Sequence, residues 1–262
     1  MSRRNLTLVI PAYEPERSLP ALVAALAPDF ASVVVVDDGS RSPDAADAFA
    51  SLSGMPSVRL LRHAANCGKG AALKTAFADI LRHAPGCAGV VTADADGQHL
   101  ADDVRRVADA TLANPGRVTL GVRSFSGAVP FRSRLGNFWT CGEFFLLTRR
   151  WVRDTQTGLR GIPRALLPSL AALAGERYDY EARMLVAAAR LPGGPVQVPI
   201  ATVYQEGNKT SHYRPLADTF STQLALFRAA LSRAAATSTS TARSRGGCPR
   251  SEPSRRTSRV PS

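Results

Sequence analysis

Along the first 125 residues, short apolar runs alternate with stretches whose apolar positions recur every three or four residues. Leu6–Pro11 predicts a buried strand, Ser18–Ala27 a helix, and Ser32–Asp37, with four consecutive valines, a second buried strand. Ser42, Pro43 and Asp44 form a helix start: a capping hydroxyl, a proline suited to the first turn, then an acid facing the helix dipole. Val58–Arg62 reads as a strand, Lys69–Ala84 as a long helix, Gly89–Ala93 as a strand, Leu100–Ala113 as a helix and Val118–Val122 as a strand. Short apolar strands alternating with helices predict a mostly parallel α/β sheet covered on both faces. Ligands of such sheets bind at the carboxyl ends of the strands. The residues just after each strand are therefore where chemistry is expected.

Beyond residue 125 the pattern loosens. Ser124–Arg153 is rich in Gly, Phe and Arg, with an amphipathic helix expected near Leu135–Leu147. Arg177–Arg190 reads as helix, Val196–Val203 as strand and Pro215–Arg233 as helix, the last with Leu216, Phe220, Leu224, Phe227 and Leu231 on one stripe. That stripe suits docking on a core or lying on a membrane surface. A single domain over residues 1–235 is expected, followed by a Ser/Arg-rich tail over 236–262 too poor in large apolar residues to fold.

Charge changes the picture more than composition does. The 262 residues carry a net charge of +12, and the segment from Thr237 onward holds six arginines against the single acid Glu252. Such a surplus points to a phosphate-bearing or anionic partner. No apolar run approaches the roughly 18 residues of a membrane span, and Leu6–Ala12 meets Glu14 too soon to be a signal peptide. The four cysteines (Cys67, Cys87, Cys141, Cys248) show neither metal-site nor disulfide-framework spacing, so the chain reads as cytoplasmic.

Ala93-Asp94-Ala95-Asp96-Gly97-Gln98 stands at the end of the fourth strand. Side chains two apart on an extended chain point the same way, so Asp94 and Asp96 can present two carboxylates to one volume. A hard divalent cation, Mg²⁺ or Mn²⁺, suits such a pair, especially beside substrate phosphates. A polar turn capping the helix near Leu100 explains the same two residues. Asp37-Asp38-Gly39-Ser40 and Pro11-Ala12-Tyr13-Glu14-Pro15 follow neighbouring strands and share that rim. Asn66-Cys67-Gly68-Lys69-Gly70 opens the long helix, where glycines and free amides favour an anion. It lacks the Ser or Thr of a Walker A loop, and Leu73 stands where a GxGxxG motif needs glycine.

Val-Ile-Pro-Ala-Tyr, Val-Val-Asp-Asp-Gly-Ser, Asn-x-Gly-Lys-Gly and Ala-Asp-Ala-Asp-Gly-Gln, in that order, resemble the family 2 glycosyltransferases of GT-A fold. Among these the chain is most similar to the polyprenyl- and dolichyl-phosphate sugar transferases. The likeness continues through Asp154–Arg160, Arg177–Glu181, Val198–Ile200 and Lys209–Ser211. It implies that Pro11, Tyr13, Val36 and Asp38 hold the base and ribose of a nucleotide-sugar. Glu14, Gly68, Lys69 and Ala95 fall in the same donor site. Asp94 and Asp96, with Gln98, are implied to bind Mg²⁺ or Mn²⁺. Arg123 is implied to face the donor phosphates, Arg177 matches a position that is basic in the dolichyl-phosphate enzymes and joins the donor site, Asp154 and Arg160 lie in a loop over the sugar, and Arg132 and Arg134 meet the acceptor phosphate. Two departures stand out: Glu14-Pro15 replaces the family's usual Asn-Glu, and Gln205 replaces an arginine for which Lys209 is the substitute.

The expected reaction is metal-dependent, inverting transfer of a sugar from a UDP- or GDP-sugar to a polyprenyl monophosphate. A phosphate acceptor is ionised near neutrality, with a second pKa of about 6, and needs cations such as Arg132, Arg134 and Lys209 rather than a base. A hydroxyl acceptor requires a base, and Asp154 is the candidate for that variant. Asp96, Asp154 and Arg134 are the residues expected at the chemistry. Expected partners are the donor, the lipid-phosphate acceptor and, peripherally, the inner face of a membrane, with no nucleic acid. A catalytically degenerate basic binding protein is the rival reading.

Overall fold

The computed structural model describes residues 2–123 and 131–201, with the side chains of 131–138 left aside. Seven strands form one sheet in the order β3-β2-β1-β4-β6-β5-β7. They are β1 (Leu6–Ala12), β2 (Ser32–Asp37), β3 (Val58–Arg62), β4 (Gly89–Thr92), β5 (Thr119–Arg123), β6 (Arg160–Pro163) and β7 (Val196–Ile200). All pairings are parallel except those of β6, which runs antiparallel between β4 and β5. The helices are α1 (Leu19–Leu26), α2 (Pro43–Ser53), α3 (Lys69–His83), α4 (Ala101–Ala113), α5 (Phe131–Thr148), α6 (Leu167–Ala171) and α7 (Tyr178–Arg190).

Strand side chains sort by parity onto the two faces. Leu6, Leu8, Ile10, Val33 and Val35 pack with Val23, Phe49 and Val107 of α1, α2 and α4. Val9, Val34 and Val36 pack on the other face with Phe77, Tyr180 and Leu185 of α3 and α7. Every residue of β1 is buried, as both-face coverage requires. Ser42 caps α2 as expected, its hydroxyl accepting from the Ala45 amide at 3.2 Å, with Pro43 opening the helix.

Two elements were not expected, and two others have different bounds. β6 has four residues and α6 five, too few to display a period, and residues 154–160 were expected to form a loop. α5 begins at Phe131, earlier than Leu135, and β7 ends at Ile200 rather than Val203. The expected helix Pro215–Arg233, the tail over 236–262 and Lys209 lie outside the described residues. The connection after β1 runs toward β2 and β3, whereas β4 lies on β1's other side. The crevice at the carboxyl ends of β1 and β4 is therefore a topological switch point, where open α/β sheets bind ligands.

Candidate active site

The rim above this crevice is built from the outside inward. Glu14, following β1, adopts a positive φ of 48°. Its carboxylate accepts the amides of Arg41 at 2.8 Å and Ser42 at 3.1 Å, while its own amide donates to Ser40 Oγ at 2.9 Å. Glu14 thus ties the loop after β1 to the loop after β2. Asp37 is 1% exposed, pairs with Arg62 at 2.8 Å and accepts the Ser40 amide at 2.8 Å.

Asp38, implied to help hold the base and ribose, is drawn into hydrogen bonds within the protein. It is 3% exposed, and its carboxylate accepts the amides of Cys67 at 2.9 Å and Gly68 at 2.7 Å. His63 Nδ1 lies 2.7 Å from the same carboxylate, and its Nε2 lies 2.9 Å from Thr75 Oγ1. A carboxylate only accepts, so Nδ1 carries the proton. Asp38 anchors the loop leading into α3. Val36 is wholly buried in the core beneath it, and Pro11 is buried in β1, which leaves Tyr13 as the member of that set with a well exposed side chain, at 38%.

Gly68 caps α3 with φ +100°, and a Cβ there would lie 2.7 Å from Arg177 Cγ. Its bare Cα admits the close approach of α7's start, and Gly70 meets Tyr180 and Glu176 for the same reason. The Ala71 amide donates to Glu176 O at 2.9 Å, locking the two helix starts together. Arg177, whose amide donates to Asp179 Oδ1 at 3.2 Å, is the exposed N-cap of α7 beside this junction.

That junction aims Lys69 inward. Its Nζ lies 2.6 Å from Asp94 Oδ1 and 2.9 Å from Glu181 Oε2 of α7. Burial opposes charge on Lys69, but the two carboxylates outweigh it and raise its pKa above the ordinary lysine value. Burial likewise opposes charge on Asp94, yet Lys69 and His99 hold its pKa far below the usual carboxylate range. Asp96 goes the other way: burial first, then the Asp94 charge, raise its pKa, with the Gln98 amide at 3.0 Å opposing. His99 Nε2 stands 3.4 Å from Asp94 Oδ2, and this buried nitrogen has no well-formed hydrogen bond. Ala95, half-buried, separates the two aspartates.

The opposite wall is the segment leading into β6. Asp154 is 0% exposed and forms a two-point ion pair with Arg123, Oδ2 to Nε at 2.6 Å and Oδ1 to Nη2 at 3.1 Å, while accepting the Gln156 amide at 3.0 Å. Arg160 is 2% exposed, with Nε donating to Thr157 O at 2.9 Å and Nη1 to Glu181 O at 2.8 Å. It braces the wall against α7. Arg132 and Arg134 fall in the first turn of α5, where only the backbone is described.

Asp94, Asp96, Glu181 and His99 are ligand types that a divalent cation takes, with the Lys69 ammonium standing between Asp94 and Glu181; the described ligand atoms that converge within 4.8 Å of one another are those of Asp38, His63 and Cys67. Glu181 and His99 were missed as site residues. Glu181 sits in a helix's first turn, where an acid is explained by the dipole alone, and nothing in the spacing ties it to residues 69 and 94.

A mostly parallel sheet with charged side chains gathered at its switch point is the arrangement in which open α/β folds bind their ligands. The chain belongs to glycosyl transferase family 2, whose sequence model matches residues 7–167. It is 28% identical over 232 residues to the UDP-N-acetylglucosamine--dolichyl-phosphate N-acetylglucosaminyltransferase of Methanococcus voltae, spanning 79% of this chain and 88% of that one. It is also 28% identical over 214 residues to the polyprenol monophosphomannose synthase of Mycolicibacterium smegmatis, spanning 76% and 77%. The fold matches glucosyl-3-phosphoglycerate synthase from Mycobacterium tuberculosis, solved with Mn²⁺, UDP-glucose and phosphoglyceric acid, at a TM-score of 0.62 and 20% identity over 87% of this chain and 80% of that one. The protein is a glycosyltransferase of GT-A fold. Among its described residues no helix is long and apolar enough to cross a membrane.

Proposed function

We propose that this glycosyltransferase moves a sugar from a UDP- or GDP-sugar to a polyprenyl monophosphate, with a divalent cation and inversion at the anomeric carbon. The observation that carries the choice of acceptor is the commitment of Asp154 to Arg123. A hydroxyl acceptor needs a base, and the carboxylate best placed by sequence for that task is buried in an ion pair. An ionised phosphate oxygen needs none: it attacks the anomeric carbon, the bond to the donor's diphosphate breaks, and the electron pair leaves on that diphosphate. The two curated relatives, both named for lipid-phosphate acceptors, support the same choice.

Asp94 and Asp96 would hold the cation, with Gln98 and His99 beside them, and the bound ion would neutralise the departing diphosphate. Glu181, beside Lys69, offers a carboxylate acceptor suited to sugar hydroxyls. Tyr13 offers an exposed ring at the rim for the base. Arg132 and Arg134, at the start of α5, supply cations for the acceptor phosphate, and Lys209 adds to them.

α5 also suits peripheral membrane contact. Thr140, Cys141 and Phe144 are buried toward the site wall, where Thr155 donates to Thr140 Oγ1 at 3.2 Å. Seven residues apart on the outer face, Trp139 is 66% and Leu146 67% exposed, with Arg149 and Arg150 following. An aromatic and aliphatic face flanked by arginines suits an anionic bilayer surface.

The test is a donor screen. Purified protein meets UDP-glucose, UDP-N-acetylglucosamine and GDP-mannose with Mg²⁺ or Mn²⁺, with and without polyprenyl phosphate. The expected result is metal-dependent release of UDP or GDP that rises with the lipid and disappears in Asp96→Ala. Release indifferent to the lipid would favour a hydroxyl acceptor. No release or binding with any donor would favour the binding-protein reading.

A further inference from the structure

Lys69 stands among three carboxylates with the His99 imidazole beside Asp94, and its contacts are not spread evenly among them. Its ammonium sits at 2.6 Å on Asp94, a residue proposed to hold the cation, and at 2.9 Å on Glu181. The backbone beneath it is fixed, because Gly68 is hydrogen-bonded to Asp38 and pressed against Arg177. The side chain above is a flexible four-carbon stem carrying a compact charge. An ammonium and a divalent ion on one carboxylate repel each other, so whichever holds Asp94 weakens the other's grip.

We propose that Lys69 is an internal counter-ion that competes with the metal for Asp94 and yields it when a nucleoside diphosphate offers the ammonium another anion. This deepens the metal-dependent donor reading given above and rests on it. In the empty enzyme Lys69 keeps Asp94 and Glu181 together, which would otherwise repel, and holds the site's affinity for free cations low. When the diphosphate arrives, Lys69 moves to its oxygens and Asp94 is released to the ion. Metal and donor then bind as a coupled pair, each favouring the other as linkage requires. The enzyme gains discrimination against loading a cation without its donor.

Lysine count makes the movement observable, since the chain has three lysines, Lys69, Lys74 and Lys209. With ¹³C-lysine in the full chain, Mg²⁺ alone should leave the Lys69 side-chain signal in place, and Mg²⁺ with UDP or GDP should shift it. A signal unmoved while ³¹P spectra show the nucleotide bound would overturn the proposal. The second arm measures Mn²⁺ binding by electron paramagnetic resonance without nucleotide. Lys69→Met should bind Mn²⁺ about tenfold more tightly than the parent, within the ordinary range of coupling, whereas Lys69→Arg should stay near the parent value. Equal or weaker binding in a folded Lys69→Met protein removes the competition and leaves the metal-dependent reading intact. Absence of Mn²⁺ binding in every protein, with or without nucleotide, removes both. If Lys69→Met does not fold, the lysine spectra of the unaltered chain decide alone.

Discussion

Gly158 gives direct control over the position of Asp94. A methyl group at its Cα would stand 2.5 Å from Asp94 Oδ1 and 2.6 Å from Asp94 Cγ. Comfortable separations between heavy atoms begin near about 3.5 Å, so Gly158→Ala requires the carboxylate to retreat by close to 1 Å. The backbone of Gly158 cannot yield easily, because its carbonyl accepts from Thr92 Oγ1 at 2.7 Å just before β6 enters the sheet. A displacement of that size breaks the 2.6 Å contact with Lys69 and exceeds the roughly 0.5 Å tolerance of a working constellation. The expected stability loss is about 1–3 kcal/mol, typical of one overpacked methyl. The expected fall in donor turnover is about 100-fold, the usual cost of a 1 Å misplacement. Gly161→Ala is the control: its methyl would collide with Thr111 of α4, stressing the same strand away from Asp94. Both variants are to be followed by urea unfolding and by UDP or GDP release. If a folded Gly158→Ala keeps turnover within twofold of the parent, Asp94 is not where the chemistry depends on it.

Three further outcomes follow from the same geometry. Asp154→Asn should lower stability by about 1.5–3 kcal/mol through the lost charge-assisted bonds to Arg123, seen as a lower urea midpoint, and should leave the shape of the pH–rate profile unchanged; loss of a basic limb with unaltered stability would restore Asp154 as a base. Asp38→Ala strips the acceptor from the Cys67 and Gly68 amides, so their hydrogen exchange should accelerate at least about tenfold, a change of about 1.4 kcal/mol in opening, and unchanged protection would show that the loop is held otherwise. Burial, with the nearby Asp154 charge, pushes the Cys141 thiol up to about 11. At pH 8 only about one molecule in a thousand is then thiolate, so iodoacetamide should label Cys141 in urea but not in the native protein, and rapid native labelling would contradict its placement.

Sequence by itself determined the architecture through β5, because a buried parallel strand must be apolar on both faces and a helix must repeat its apolar positions. Four consecutive valines in β2 and the Ser42-Pro43 start of α2 are local signals that need no partner to be read. The position of Asp94 and Asp96 at a strand's carboxyl end was legible for the same reason. β6 was not, since four residues carry no period and its antiparallel place between β4 and β5 is set by pairing with distant strands.

What each charged residue does was decided by tertiary structure alone. Asp38, Asp154 and Arg160 look like ligand contacts in a motif, yet each is buried and hydrogen-bonded within the protein. A charge removed from water must find a partner, and the partner is supplied by whichever chain segment the fold brings near. For Asp94 that partner is Lys69, and for Lys69 it is also Glu181, residues far apart in the chain that meet because α3 and α7 start side by side above the switch point of the sheet.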